Sequence, residues 1–206
     1  MSMNMNRQRD LPALHAQTRQ AGFTLVETLA AITLITIAIV APMALTVQSL
    51  EAAFFARDQI TAANFAQEGI EAVRSVRDGN VLALAESQST SSCGGTLSNG
   101  ILTCIPVNQN FTIDATQIPA ALTICSSGCQ LKTNGQLYGY NAGWTTTNFT
   151  RLAIACFVQT DGTCNSTVSD EMRLTVTVSW QTSAYKSQQL QLSENLYNWV
   201  QAGSAT

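Results

Sequence analysis

Residues 19–47 read RQAGFTLVETLAAITLITIAIVAPMALTV. From Phe23 to Val47 there are 25 residues, and Glu27 is the only charged one. As a helix rising about 1.5 Å per residue, such a run covers roughly 37 Å, enough for a bilayer core of about 30 Å. A secretory signal would instead have an apolar region of about 7–15 residues followed by a small-x-small cleavage site. This run is longer, and Pro42 directly after Ala41 obstructs cleavage there. A plain anchoring helix accounts for the length but not for Glu27. An acid inside a span costs about 2.5–3.5 kcal/mol on insertion scales, so such residues usually have a partner and a task. The bland alternative is an acid in the first turn of a helix, where the dipole favours it.

The flanks set this run in context. Residues 1–22 are polar and aperiodic, carry Arg7, Arg9 and Arg19 against Asp10, and read as a leader. Downstream, SLEAAFFARDQITAANFAQEGIEAVRSVRDGN (49–80) turns amphipathic, with Ile60, Ala63, Ala66, Ile70, Val73 and Val76 at helical spacing. Residues 78–80 form the first plausible stop, and VLALAE adds a further turn. The expectation is one helix, apolar all round over 23–48 and striped over 49–86.

Beyond a Ser/Thr/Gly loop the chain reads as strands and turns, with candidate strands at 101–107, 121–125, 136–140, 151–158, 172–180 and 185–192. MRLTVTVSW is the clearest, with Met172, Leu174, Val176, Val178 and Trp180 on one face and Arg173, Thr175, Thr177 and Ser179 on the other. Strict period two in β-branched residues marks a half-buried strand. The segment after QTSA then closes an antiparallel hairpin. The fold class is α+β: a long N-terminal helix packed on a small antiparallel head spanning 87–206.

Charge and residue types exclude several functions. Residues 23–206 carry seven basic and twelve acidic side chains, and a mildly acidic body without Lys/Arg clusters argues against nucleic acid. The one histidine, His15, lies in the leader, so neither a Ser–His nor a Cys–His nucleophile can be assembled in the body. No enzyme activity and no cofactor are expected. Asp161-Gly162 and Asp170-Glu171 could serve a calcium site but read more simply as turn residues and a solvated acidic pair. Trp144, Tyr138 and Tyr140 read as core aromatics rather than a sticky patch.

The order Gly22-Phe23-Thr24-Leu25-Val26-Glu27, with a basic leader before it and about twenty apolar residues after it, closely resembles the class III signal of type IV prepilins and type II secretion pseudopilins. The later AANFAQEGIEAVRSVRDGN and the terminal hairpin look like minor pilins of the PilV kind and I-type pseudopilins. The resemblance implies that a prepilin peptidase cuts after Gly22, whose missing side chain suits close approach of an enzyme to the backbone. It implies that Phe23 becomes an N-methylated amino terminus. It also implies that Glu27 offers its charge to the Phe23 ammonium of an adjacent subunit and so sets filament register. The leader is long for such proteins, and Pro42 falls two residues earlier than the usual helix-breaking proline, either as a kink or as a melted segment.

The six cysteines, Cys93, Cys104, Cys125, Cys129, Cys156 and Cys164, all follow the helix. An even count in an exported part reads as disulfides, and there is no CxxC or histidine to complete a metal site. Six cysteines allow fifteen pairings; the local set, Cys93–Cys104, Cys125–Cys129 and Cys156–Cys164, is the one expected. The implied protein is a filament subunit held once in the inner membrane with its head exported, later found in a surface pilus or a periplasmic pseudopilus. Its partners would be other pilin or pseudopilin subunits, the prepilin peptidase, an inner-membrane assembly platform and membrane lipid. A minor pilin, a pseudopilin of a secretion or DNA-uptake system, and a membrane-anchored adhesin are the three functional alternatives.

Overall fold

A computed structural model describes residues 22–91, 93, 97, 100–183 and 186–199; the leader expected over 1–22 lies outside them apart from Gly22. The chain divides into two compact units, 1–49 and 50–206. Helix α1, Leu25–Ala85, contributes to both. It therefore passes the stop expected at 78–80. Asn80 does not break it, because its side chain is buried and its Nδ2 donates to the Ile101 carbonyl at 2.7 Å.

Among the described residues eight strands follow: β1 Phe111–Asp114, β2 Ala121–Ile124, β3 Gln130–Thr133, β4 Tyr138–Gly139, β5 Thr145–Val158, β6 Cys164–Asn165, β7 Glu171–Ser183 and β8 Lys186–Tyr197. They form one sheet in which every paired strand is antiparallel to its neighbour. The 14-residue β5 is its spine. One edge of β5 takes β3 and β1, and the other takes β7 from Phe149↔Trp180 to Phe157↔Met172. The β7–β8 hairpin is the closing one expected, and Met172, Leu174, Val176, Val178 and Trp180 are all buried.

The core forms where α1 lies on this sheet. Its helical side is the stripe Ala62, Phe65, Ala66, Ile70, Val73 and Val76, spaced three or four apart as one helix face requires. Ile60, expected on that stripe, is 64% exposed because it sits two residues from Ala62, on another side of the helix. Residues 101–107 are also not a strand. Ile101, Leu102 and Ile105 are buried in turns, and Val107 makes only a parallel bridge to Ala155. A short apolar run satisfies either reading; here the Cys93–Cys104 bond, Pro106 and the Asn80 amide favour a packed loop. The strand expected at 136–140 shrinks to β4, since Asn134 and Thr133 wrap a turn around Gly135. Strands β1, β3 and β6 had no sequence signal. Of the three aromatics expected in the core, Tyr140 packs at its margin. Tyr138 is 38% exposed and meets Phe65 edge-on at 4.7 Å, while Trp144 is half-buried.

At the centre of the packing is a charge. Alternation along β5 turns Phe149, Arg151, Ala153, Ala155 and Phe157 toward the helix. Arg151 is 0% exposed. Its Nη1 donates to the Phe65 carbonyl at 3.1 Å and to Glu68 Oε2 at 2.9 Å, and its Nη2 donates to the Ile113 carbonyl at 2.5 Å. Gly69 lies over it: a Cβ there would meet Arg151 Cδ, Ile113 Cδ1 and Val176 Cγ1 at 3.4 Å, the near edge of ordinary contact. Side chains tilt toward a helix N-terminus, so position 69 would cover the carbonyl of position 65. Burial pushes the neighbouring Tyr140 hydroxyl up from its ordinary pKa, with the Arg151 charge acting against it.

Arg151→Ala should destabilise the head by about 3–5 kcal/mol, through lost packing and the orphaned Ile113 carbonyl. Denaturant unfolding of the purified protein checks this; a loss under about 1 kcal/mol would contradict the role given to Arg151.

Candidate functional site

The candidate site is the start of α1. Gly22 and Phe23 precede the helix, Phe23 is 78% exposed, and among the described residues nothing lies within 4 Å of where a Gly22 Cβ would be. Thr24 is the N-cap: its Oγ1 accepts from the Glu27 amide at 3.3 Å, while its carbonyl takes the Thr28 amide at 3.1 Å. Thr24-x-x-Glu27 has the spacing of a capping box, a signal present in the sequence that the motif reading passed over. Only the Thr24 half is made. The Glu27 side chain is exposed, and among the described residues its carboxylate accepts no hydrogen bond.

The remaining side-chain polar groups of the apolar run are hydroxyls, and all are satisfied within the helix. Thr28, Thr33, Thr36 and Thr46 donate to the carbonyls of Leu25, Ala30, Thr33 and Pro42 at 2.8–2.9 Å. Such back-bonding lets a threonine sit in hydrocarbon without an orphan donor. The helix runs through Pro42 without interruption, and the Thr46 hydroxyl occupies the Pro42 carbonyl. The most apolar window of the helix has 0% of its residues buried in the protein. Apolar side chains so exposed require a bilayer or other apolar surroundings. Among the described residues, the Glu27 carboxylate has no such hydrogen bond.

In the head, the structure joins Cys93 to Cys104, Cys125 to Cys129 and Cys156 to Cys164, with sequence separations of 11, 4 and 8. Asp161 accepts from the Thr163 amide and hydroxyl at 2.9 and 2.6 Å, and these bonds hold its carboxyl below the ordinary range. Asp170 and Glu171 are engaged elsewhere: Asn198 donates to Asp170, and Asn195 and Tyr197 donate to Glu171. Arg74 joins α1 to β8 through Glu194, with Nε to Oε1 at 2.7 Å, and that bond holds its guanidinium above its ordinary pKa. The sequence reading missed Arg74 and Arg151, since nothing local to either marks it as buried or bridging.

Residues 17–41 match a family model described as a prokaryotic N-terminal methylation motif. The match supports the prepilin and pseudopilin family and does not resolve which branch. That family is structural rather than enzymatic; its motif implies processing by a prepilin peptidase and assembly with other subunits, and together with the apolar helix it fits a membrane-anchored pilin. No curated protein and no solved structure matches the chain.

The three short covalent loops should each stabilise the head by about 2–3 kcal/mol in the chain-entropy model. Thiol labelling of denatured, non-reduced protein from the membrane fraction should therefore find no free cysteine. Two or more labelled cysteines per chain would contradict the pairing.

Proposed function

We propose that the chain is a structural subunit, a minor pilin, of a type IV pilus-like filament. It would be inserted in the inner membrane, trimmed of residues 1–22, methylated at Phe23 and assembled through its N-terminal helix. The observation that carries this reading is the contrast inside the apolar run. The Thr28, Thr33, Thr36 and Thr46 hydroxyls donate within the helix, while the Glu27 carboxylate has no hydrogen-bond partner among the described residues. An unpaired carboxylate at the head of a lipid-facing helix is costly in an isolated subunit. It becomes favourable beside the ammonium of a neighbour's amino terminus, so assembly supplies the partner. The Thr24 cap supports the same reading, because it satisfies the Glu27 amide without drawing in the carboxylate.

Gly22 supports the cut. Its position is open, so Gly22→Leu would be tolerated by the chain itself while blocking approach of a peptidase to the backbone. In cells that possess the peptidase, wild-type protein should have the intact mass of a chain starting at a methylated Phe23, and Gly22→Leu should retain the leader. A wild-type mass that retains the leader would end this proposal and favour the uncleaved, membrane-anchored adhesin. A pseudopilin of a secretion or DNA-uptake filament would share the same chemistry, and gene neighbours separate it: a retraction motor for a pilus, a secretin with hydrolase cargo for a secretion system.

Glu27→Val should insert at least as well as wild type, since it removes a charge from the bilayer. Incorporation into sheared filaments should fall by a factor of several hundred, because truncating one member of a buried charge pair costs about 3–5 kcal/mol. Comparing membrane-pool and filament amounts in the same cells tests this. Equal incorporation would leave Glu27 as an ordinary helix-start acid.

A further inference from the structure

We propose that the outer edge of β8 pairs antiparallel with β8 of a second copy of this chain, carrying the sheet across a two-fold axis. The sheet has two margins, and they are built differently. On one, β2, β4 and β6 have four, two and two residues, and each pairs with one strand only. Edge strands so short give an incoming chain little to pair with. On the other, β8 runs for 12 residues and pairs only with β7, and among the described residues no backbone bond caps its outer side. Its register with β7 is unbroken from Glu171↔Tyr197 to Gln181↔Ser187, it contains no proline, and residues 187–193 carry no charge. Bulges, prolines and charges are the usual means of closing such an edge to another chain. Here the only charges are Lys186, beside the hairpin turn, and Glu194, which is bound to Arg74.

The strand is complementary to itself. Leu190 and Leu192 pack toward the helix side, opposite Val178 and Val176 of β7, yet they are only partly buried where those two valines are fully so. An antiparallel pair centred on Gln191 sets Leu190 against Leu192 of the second copy and Leu192 against its Leu190, so each leucine gains the apolar neighbour it lacks. Gln189 then meets Ser193, Gln191 meets itself and Glu194 meets Gln188, with no like charges opposed. A shift of two residues either way sets a leucine against Gln188 or Glu194 instead. The axis stands normal to the sheet, so α1, which lies on the sheet, runs in opposite directions in the two copies. Subunits of one filament share a direction, so this contact joins heads of two filaments; the pairing itself does not rest on the filament reading.

Sedimentation equilibrium of the full chain in density-matched detergent should show monomer and dimer exchanging with concentration. Gln191 is exposed, so Gln191→Lys should leave the melting temperature unchanged. It opposes two ammonium groups at the axis and should weaken the dimer by about fivefold or more. Under mild oxidation Gln191→Cys should link two copies covalently, because the residue meets itself. Gln189→Cys should link them only when mixed with Ser193→Cys. A monomer at every concentration, a dimer that Gln191→Lys leaves intact, or Gln189→Cys linking alone as readily as Gln191→Cys overturns the proposal.

Discussion

The head depends on a guanidinium placed where an apolar side chain would be the ordinary choice. Arg151 is fully buried, and its two Nη groups donate to the helix carbonyl of Phe65, the carboxylate of Glu68 and the strand carbonyl of Ile113, while its Nε has no partner among the described residues. A buried charge of this kind is poor evidence for stability in itself, because desolvation offsets much of the attraction. Its effect is on register. Apolar contacts between a helix and a sheet tolerate sliding, whereas a planar group with three directed bonds does not. Gly69 on the helix and the small Ala153 and Ala155 on the strand leave room for Arg151 between helix and sheet.

That placement also explains where the sequence was legible and where it was not. The strand around Val176 could be read because its large residues share one parity, so only one face can be buried. In β5 the two parities compete: Leu152 and Ile154 favour one face, Phe149 and Phe157 the other, with Arg151 on the second. Nothing local resolves that tie, and the partners that do resolve it come from α1 and β1. Strands β1 and β3 have four residues each and are fixed by pairing with their neighbours rather than by pattern. The stripe on α1 was readable to within a fraction of a turn, which is why Ile60 was misplaced. At the candidate site, the motif around Gly22, Phe23 and Glu27 stands out because it is contiguous, and the Thr24 cap was open to reading through its spacing to Glu27.

The apolar half of α1 and the head obey different rules for polar groups. In the head, polar side chains bond across elements: Arg74 to Glu194, Asn80 to Ile101, Arg151 to Ile113. Along the apolar run each threonine bonds within one turn of itself. Lipid supplies no donors or acceptors, so a segment that must cross it carries its satisfaction with it. Glu27 stands outside that pattern: among the described residues its carboxylate accepts no hydrogen bond.

The locality of the three disulfides has a mechanical consequence. Each bond closes a loop of its own neighbourhood, and none fastens α1 to the sheet or one end of the head to the other. Under tension applied through the helix, load passes to the sheet by way of Arg151, the Arg74–Glu194 pair and the packed stripe. If those contacts yielded, the cross-links would withhold only their own loops, and the rest of the head could pay out as slack chain. A head built this way resists pulling by shear between helix and sheet, then lengthens without covalent rupture.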